Sequence, residues 1–436
     1  MRKRHRHTSG ISLGTVLTLT LLGLVIAGGA VLFPKLAGDI DLRTDATRVS
    51  VAIQGVFSQP YQQGTQSTAQ PLVTAQPNVA AFSTAAPLPT QPVEHTITLT
   101  AAGAISIDTA IQKACTSETG YAFGSLLEAV AGEFQSEINL ATLQNLVIVN
   151  EKLTDVNMPA DALTAIRDSG INVLSTGFLG ALNSGVSGLA TTINAIGQNG
   201  MTAYGTFTSA ESRKHVVTID IGGTTVALMS FQSDLSAAGK RKITREEQAF
   251  VTAPLTLPVI SADIAAARAA GAKIVIVSLC WGKERATTPT KTQIELAQGI
   301  ADAGADVILG TRSGTVQPVT ILSAKRADGT SRQTLCAYSL GNLLESDRSD
   351  RASISGALLH VTMRYSLADD RLSFEALTYT PTYVWRGRID GKTSYRVLRS
   401  NVAPPDFLDE DQRKVMERSL TLIRDVMEDS PFDERQ

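Results

Sequence analysis

Histidine is scarce in this chain. Five occur in 436 residues, and two of them, His5 and His7, stand within the first ten. Metal-assisted hydrolysis draws on imidazoles and carboxylates that converge at strand ends, often around two ions. His95 precedes a strand pattern, His215 starts one and His360 lies inside one, so no imidazole follows a strand's carboxyl end. A dinuclear centre is short of ligands. Cysteine is equally sparse: Cys115, Cys280 and Cys336, an odd number without a C-x-x-C spacing. One disulfide plus a free thiol, or three reduced thiols, both remain open. Aromatic residues make up 5%, too few for a surface that stacks on nucleic acid or glycan. A basic excess is missing too. With Arg2, Lys3, Arg4 and Arg6 set aside, 35 basic residues face 41 acidic ones. Such a mildly acidic body is a poor polyanion binder and argues against nucleic acid.

Long apolar runs are absent except for one. "ISLGTVLTLTLLGLVIAGGAVLF", Ile11 to Phe33, carries no charge. At about 1.5 Å per residue it reaches about 35 Å, enough to cross a hydrocarbon core of about 30 Å. The basic residues before it place the N-terminus in the cytoplasm and the rest outside. The rival is a cleaved signal peptide, because Ala27 to Ala30 ("AGGA") ends the run in small residues. Its apolar region would exceed the usual ~7–15 residues, and the uncleaved anchor is preferred.

The resulting division is a basic tip (1–10), an anchor (11–33), an extracytoplasmic linker (34–94), a main domain (95–405) and a C-terminal amphipathic helix with tail (406–436). From Gln59 to Glu94 the chain is rich in Gln, Thr, Ala and Pro, with six prolines and one acid. It cannot bury enough apolar surface to offset its ordering entropy, and reads as a tether.

In the main domain, "TITLTAAGAIS" alternates as a strand that ends in a Gly-containing loop. "AFGSLLEAVAGEFQ" has helical spacing, with Phe123, Leu126, Leu127, Val130 and Phe134 on one face. "NLVIVN" and "INVLST" read as strands, "PADALTAIRDSG" and "VSGLATTINAIGQNG" as helices. "HVVTIDIGGTTVALMSF" predicts a hairpin turning at Gly222-Gly223. Then come helix "DIAAARAAGA", strand "KIVIVSL", helix "TKTQIELAQGIADAGA" and strand "DVILG", followed by a β-rich end and a last helix. Alternating βα units followed by hairpins predict α/β architecture, a pair of mixed sheets flanked by helices.

Chemistry at the strand ends is thin. Cys280 ends the apolar strand of "VSLCWGKE", with Trp281, Gly282 and Glu284 beyond. As a nucleophile or soft-metal ligand Cys280 would need a basic neighbour to lower its pKa, and none is evident. A small buried side chain with Trp281 as a packing plug is the better reading. Ser339 and Asn342 in "AYSLGNLLES" follow another strand, but the pattern is not a G-x-S-x-G elbow and reads as a structural turn. Ser-His-Asp and phosphate-loop patterns do not occur.

Taken in order, these stretches resemble the CapA family of poly-γ-glutamate capsule-synthesis proteins, over about Thr96 to Tyr383. The resemblance is strongest in "ARAAGAKIVIVSLCWGKE", "TPTKTQIELAQGIADAGADVILGTRSGTVQPV" and "YSLGN". It implies a four-layer αββα sandwich of metallophosphatase type, here behind an N-terminal transmembrane helix. The departures fall where the family keeps its polar site. Gly103 and Ala104 stand for Gly-Asp. Asn150 is kept from Asn-Leu-Glu, but Lys152 falls at the Glu. Gly177, Phe178, Leu179 and Gly180 replace Ala-Asn-Asn-His, and Asn183 a following Asp. Cys280 replaces the His of His-Trp-Gly, and Gly310, Thr311, Arg312, Ser313 and Gly314 replace Gly-His-His-Pro-His. Trp281, Gly282, Glu284, Tyr338, Ser339, Gly341 and Asn342 are retained.

The resemblance with its losses implies a membrane-anchored protein associated with envelope-polymer synthesis that works by binding or scaffolding, without metal or cofactor, as a pseudoenzyme. Arg312 is available to an anionic polymer's carboxylate, or fills space in a vacated acidic site. Two alternatives stand beside this: a transferase or hydrolase using Cys280, Glu284, Ser339 and Asn342, and a purely structural or sensor domain.

Overall fold

The computed structural model describes residues 94–148, 152–326 and 329–435, which belong to one compact unit, Pro87–Gln436. Ile11–Phe33 and Asn150 lie outside the described residues. Among those described, no helix is long and apolar enough to cross a membrane.

Two sheets carry the fold. The nine-stranded sheet runs Lys392–Arg399, Arg371–Ile389, Ser355–Ser366, Glu94–Ile105, Ile138–Leu143, Val173–Ser175, Thr202–Tyr204, with Asn342–Leu344 beside Glu94–Ile105 and Asp433–Glu434 beside Arg371–Ile389. The six-stranded sheet runs Val316–Lys325, Ser331–Leu340, Val307–Thr311, Ile274–Cys280, Thr224–Gln232, Val217–Ile221. In each sheet four neighbouring strands are parallel, so their carboxyl ends gather along one edge, where α/β proteins bind ligands.

Alternation along the strands builds the layers. Ile274 and Ile276 join Leu99, Ile138 and Leu309 in a core shared by the two sheets. Val275 and Val277 turn the other way, onto Ile260, Ile264 and Ile300 of the helices Leu257–Ala269 and Lys291–Ala303. The outer face of the larger sheet packs Ala141 and Leu174 against Ile111, Leu163 and Ile196, from three other helices. The order is helices, sheet, sheet, helices. The last helix, Glu410–Met427, opens with an Asp409/Gln412 capping box and buries Met416, Ile423 and Met427. All three cysteines are free and buried.

The hairpin turns at Gly222 and Gly223, both with positive φ, as a two-residue turn requires. Three local expectations need correction. "AFGSLLEAVAGEFQ" is two 3-10 segments, Gly124–Leu126 and Glu128–Glu133, although all five residues of its apolar face are buried. Gly124 and Gly132 each weaken an α-helix by about 1 kcal/mol. "NLVIVN" supplies only Leu146–Val147, paired outside the large sheets with Asn157–Met158. The sheet strand is Ile138–Leu143, whose buried Asn139 and Thr142 break the apolar pattern. Asn139 is satisfied by donating to Ser136 O at 2.8 Å. The first strand continues through Gly103, because Ala104 pairs with Thr142 and Asn342 beyond it; the glycine is required since a Cβ there would stand 2.2 Å from Gly341 O.

Candidate functional site

A cleft of about 230 Å³ opens at the carboxyl ends of both sheets. Five strand ends supply its wall. Gln144 follows Ile138–Leu143, and Phe178 and Leu179 follow Val173–Ser175. Ile274–Cys280 delivers Cys280, Glu284 and Arg285; Val307–Thr311 delivers Arg312, Ser313 and Gly314. Ser331–Leu340 leads into Asn342, Glu345 and Asp347.

Packing fixes these loops. Trp281 is 2% exposed, donates from Nε1 to Tyr338 O at 2.9 Å and stacks on the Tyr338 ring at 5.9 Å. Gly310 makes room for it, since a Cβ there would lie 1.9 Å from Tyr338 O and 2.4 Å from Trp281 Nε1. Gly282 and Gly341 turn at positive φ. Ser339 is buried, with its Oγ 2.8 Å from the Ser313 hydroxyl and accepting from Gly341 N at 3.2 Å. Its role is that of a turn brace.

Charge in the cleft is mixed. Asn342 donates to Glu345 Oε2 at 2.7 Å and to Ser353 O at 3.2 Å. Burial, then the negative charges of Asp108, Asp347 and Glu284, push the Glu345 carboxyl up to about 7, against the opposing pull of Arg285. Arg285 reaches Asp347 at 3.2 Å and Ser349 Oγ at 2.7 Å. Arg312 donates to Ser233 Oγ at 2.9 Å. Both arginines hold positive φ, 62° and 92°; the other two such non-glycine residues among those described, Asp370 and Asp390, sit in hairpin turns. Side chains on this backbone cost about 1–3 kcal/mol and cluster at functional sites. Burial pushes the Cys280 thiol up to about 11, with Arg312 the strongest opposing influence. At neutral pH it is a protonated thiol.

The donors present do not fit the metal centre that the sequence resemblance implies for the family. Among the described residues no three His, Cys, Asp or Glu side chains are grouped to hold an ion. His95 bonds Thr224, His215 pairs with Glu211, and His360 bonds Thr100 and Thr380. None lines the cleft, and a guanidinium lies among the positions where imidazoles were expected.

The cleft therefore unites Phe178, Leu179, Cys280, Glu284, Arg312, Ser313, Gly314 and Asn342, which sequence singled out. Thr311 is buried at its strand end, Ala104 is buried in register with Asn342, and Gly180 backs the Phe178 ring. Asn183 is engaged elsewhere, with the Ser236 hydroxyl. Lys152 is exposed and not part of the lining: with Ile138–Leu143 as the sheet strand, the residue at that strand end is Gln144. Sequence reasoning also missed Asp108, Arg285, Glu345 and Asp347. The available signal was an acid within seven residues of a strand end, which "YSLGNLLESD" contains twice.

The family description "Bacterial capsule synthesis protein PGA_cap" matches residues 98–347, more than half of the chain. The chain belongs to this family. The PGA biosynthesis protein CapA of Bacillus subtilis (strain 168) is 24% identical over 217 residues, 49% of this chain and 52% of that protein. The capsule biosynthesis protein CapA of Bacillus anthracis is 23% identical over 215 residues, 49% of this chain and 50% of that protein. The chain thus spans about half the length of the curated relatives it matches. Among solved structures, the calcineurin-like phosphoesterase YfkN from Bacillus subtilis aligns at 11% identity and a TM-score of 0.38, over 76% of this chain and 99% of that one.

Proposed function

We propose that this PGA_cap protein is anchored in the cell membrane, with its main domain outside, and serves capsule, poly-γ-glutamate or other envelope-polymer synthesis by binding rather than by metal catalysis. The lining of the cleft carries this reading. Where metal-centred hydrolysis needs imidazoles converging with carboxylates, the described lining of this cleft keeps Glu284, Glu345 and Asp347 but sets them beside Phe178, Leu179, a protonated thiol and two arginines on left-handed backbone, with no imidazole. Among the described residues no carboxylate forms an ion pair with Arg312, whose hydrogen-bond partner is the Ser233 hydroxyl. Its planar fork is suited to a carboxylate of an anionic polymer. The uncharged run Ile11–Phe33 and the basic tip before it support the anchor and its orientation.

A second reading is an envelope transferase or hydrolase that uses residues outside the family pattern. Glu345 favours it: a carboxyl held near neutrality in a cleft has the pKa that general acid–base catalysis calls for. Cys280 does not favour it, because burial keeps its sulfur protonated. A purely structural domain finds less support, since the cleft is open rather than filled.

One experiment separates the readings. The purified full chain is incubated with poly-γ-glutamate, and both retention and polymer length are followed. Binding without a change in length, weakened by Arg312→Gln, is expected. A change in length that Glu345→Gln abolishes would contradict the binding role and select the enzyme.

A further inference from the structure

A second cavity, of about 390 Å³, lies at the other end of the six-stranded sheet. Lys273 and Asp306 line it, and each immediately precedes a strand that ends at the cleft, Ile274–Cys280 or Val307–Thr311. Seven residues at about 3.3 Å each put roughly 23 Å between the two ends. The overall charge count hides what gathers here. Five cations, Arg268, Lys273, Lys325, Arg326 and Arg332, line the cavity against three acids, Asp302, Asp306 and Asp370.

The acids are largely occupied. Asp306 is 6% exposed and held by Arg268 at 2.5 Å and Arg332 at 2.6 Å, and it also accepts from Val275 N at 2.8 Å. Asp370 accepts from the Tyr365 hydroxyl, and Asp302 from Gln298 at 3.1 Å. Three cations meet an acid at most at longer range: the Tyr365 hydroxyl foremost, and Lys273 and Arg326 from further away, hold the Asp370 carboxyl below its ordinary value. Among the described residues Lys273, Lys325 and Arg326 form no ion pair, and the Arg326 guanidinium donates only to the Asp370 carbonyl, at 2.8 Å.

We propose that this cavity is an anion-binding site, built by Lys273, Lys325 and Arg326 around the fixed Arg268–Asp306–Arg332 unit, for a ligand bearing two or more negatively charged carboxylate or phosphate groups. The charge surplus matches such a ligand, and in the fixed unit two guanidinium groups already hold one carboxylate here, each through a single N–H. Arg332 is held below its ordinary range by burial, against the opposing attraction of Asp306, with Arg268 and Arg326 adding repulsion that an incoming anion would offset. Its Nε is buried without a hydrogen-bond partner among the described residues. The site is separate from the cleft, and the proposal does not depend on what the cleft does.

Calorimetric titration of the full chain at low salt tests it, with inorganic phosphate, citrate and a γ-linked glutamate oligomer as probes. Saturable binding of at least one probe is expected, falling steeply with added salt. Lys273→Gln should weaken it about tenfold, and Lys325→Gln with Arg326→Gln by more. Among the described residues none of these side chains forms an ion pair, and circular dichroism confirms that the variants remain folded. Arg312→Gln in the cleft should leave this binding unchanged. Tighter binding of phosphate would assign the site to small free oxyanions, and tighter binding of the oligomer to a chain of carboxylates; either supports it. No saturable binding of any probe, or binding that both sets of variants leave intact, would overturn the proposal.

Discussion

Replacing Glu345 with Gln should make the protein more stable at pH 8 and less sensitive to pH. Burial and the neighbouring Asp108, Asp347 and Glu284 raise this carboxyl from an ordinary 4.5 to about 7. In the unfolded chain it releases its proton near the ordinary value, while the folded chain keeps it until about 7. Across that window the native state binds more protons than the unfolded state, so stability falls as pH rises. The loss is absent below about 4.5 and complete above about 7. At 1.36 kcal/mol per pH unit it amounts to about 3 kcal/mol, or about 2 kcal/mol after allowance for partial exposure. Gln keeps an oxygen for the Asn342 amide at 2.7 Å and carries no charge to desolvate. Urea unfolding at pH 4.5, 6 and 8 measures the effect, because every other titrating group is common to both proteins and the difference isolates Glu345. The expected result is a variant more stable by about 2 kcal/mol at pH 8 and nearly equal at pH 4.5. Parallel curves at all three values would refute the buried, repelled carboxyl, and with it the case for Glu345 as an acid–base group.

Other substitutions probe the frame. Glu133, 7% exposed, is bound by Arg399 at 3.1 Å, Thr380 at 3.0 Å and His360 at 3.4 Å, and contact with His360 foremost lowers its carboxyl to about 2. Its contribution is complete above 4.5 and disappears as pH falls through about 2; Glu133→Gln should cost about 3 kcal/mol in urea unfolding at pH 7. Cys280→Ser should cost about 1 kcal/mol and leave polymer binding intact, and iodoacetamide should not modify Cys280 in the native protein, as mass spectrometry can check. Gly310→Ala drives a methyl group into the Tyr338 carbonyl and should remove more than about 3 kcal/mol. A soluble, fully stable Gly310→Ala protein would show that Trp281 does not pin the cleft as described.

Strand ends were legible where the pattern is unbroken. Ile274–Cys280 and Val307–Thr311 are apolar runs bounded by helices with clear caps, such as the Thr290/Gln293 box and the left-handed Gly304. Four of the five strand ends that wall the cleft were therefore found, together with eight lining residues. Ile138–Leu143 was hidden because Asn139 and Thr142 find partners inside the fold, which no local pattern reports. Glu345 was hidden for a different reason. Its ionisation depends on Asp108, more than two hundred residues earlier, brought near when Asn342–Leu344 pairs with the end of Glu94–Ile105. The cation cavity likewise joins Lys273, Lys325 and Arg332 through strand register. Pairing of this kind appears only once the sheets are assembled.

Metal content is the most direct measurement. The purified full chain is analysed for bound elements, then titrated with manganese, zinc and iron while its thermal unfolding is followed. The expected result is no stoichiometric metal and no saturable stabilisation, because the cleft presents an arginine and a protonated thiol where imidazoles would be required. A stoichiometric ion, or a large saturable shift that Cys280→Ser or Glu345→Gln removes, would contradict a cleft without a metal centre.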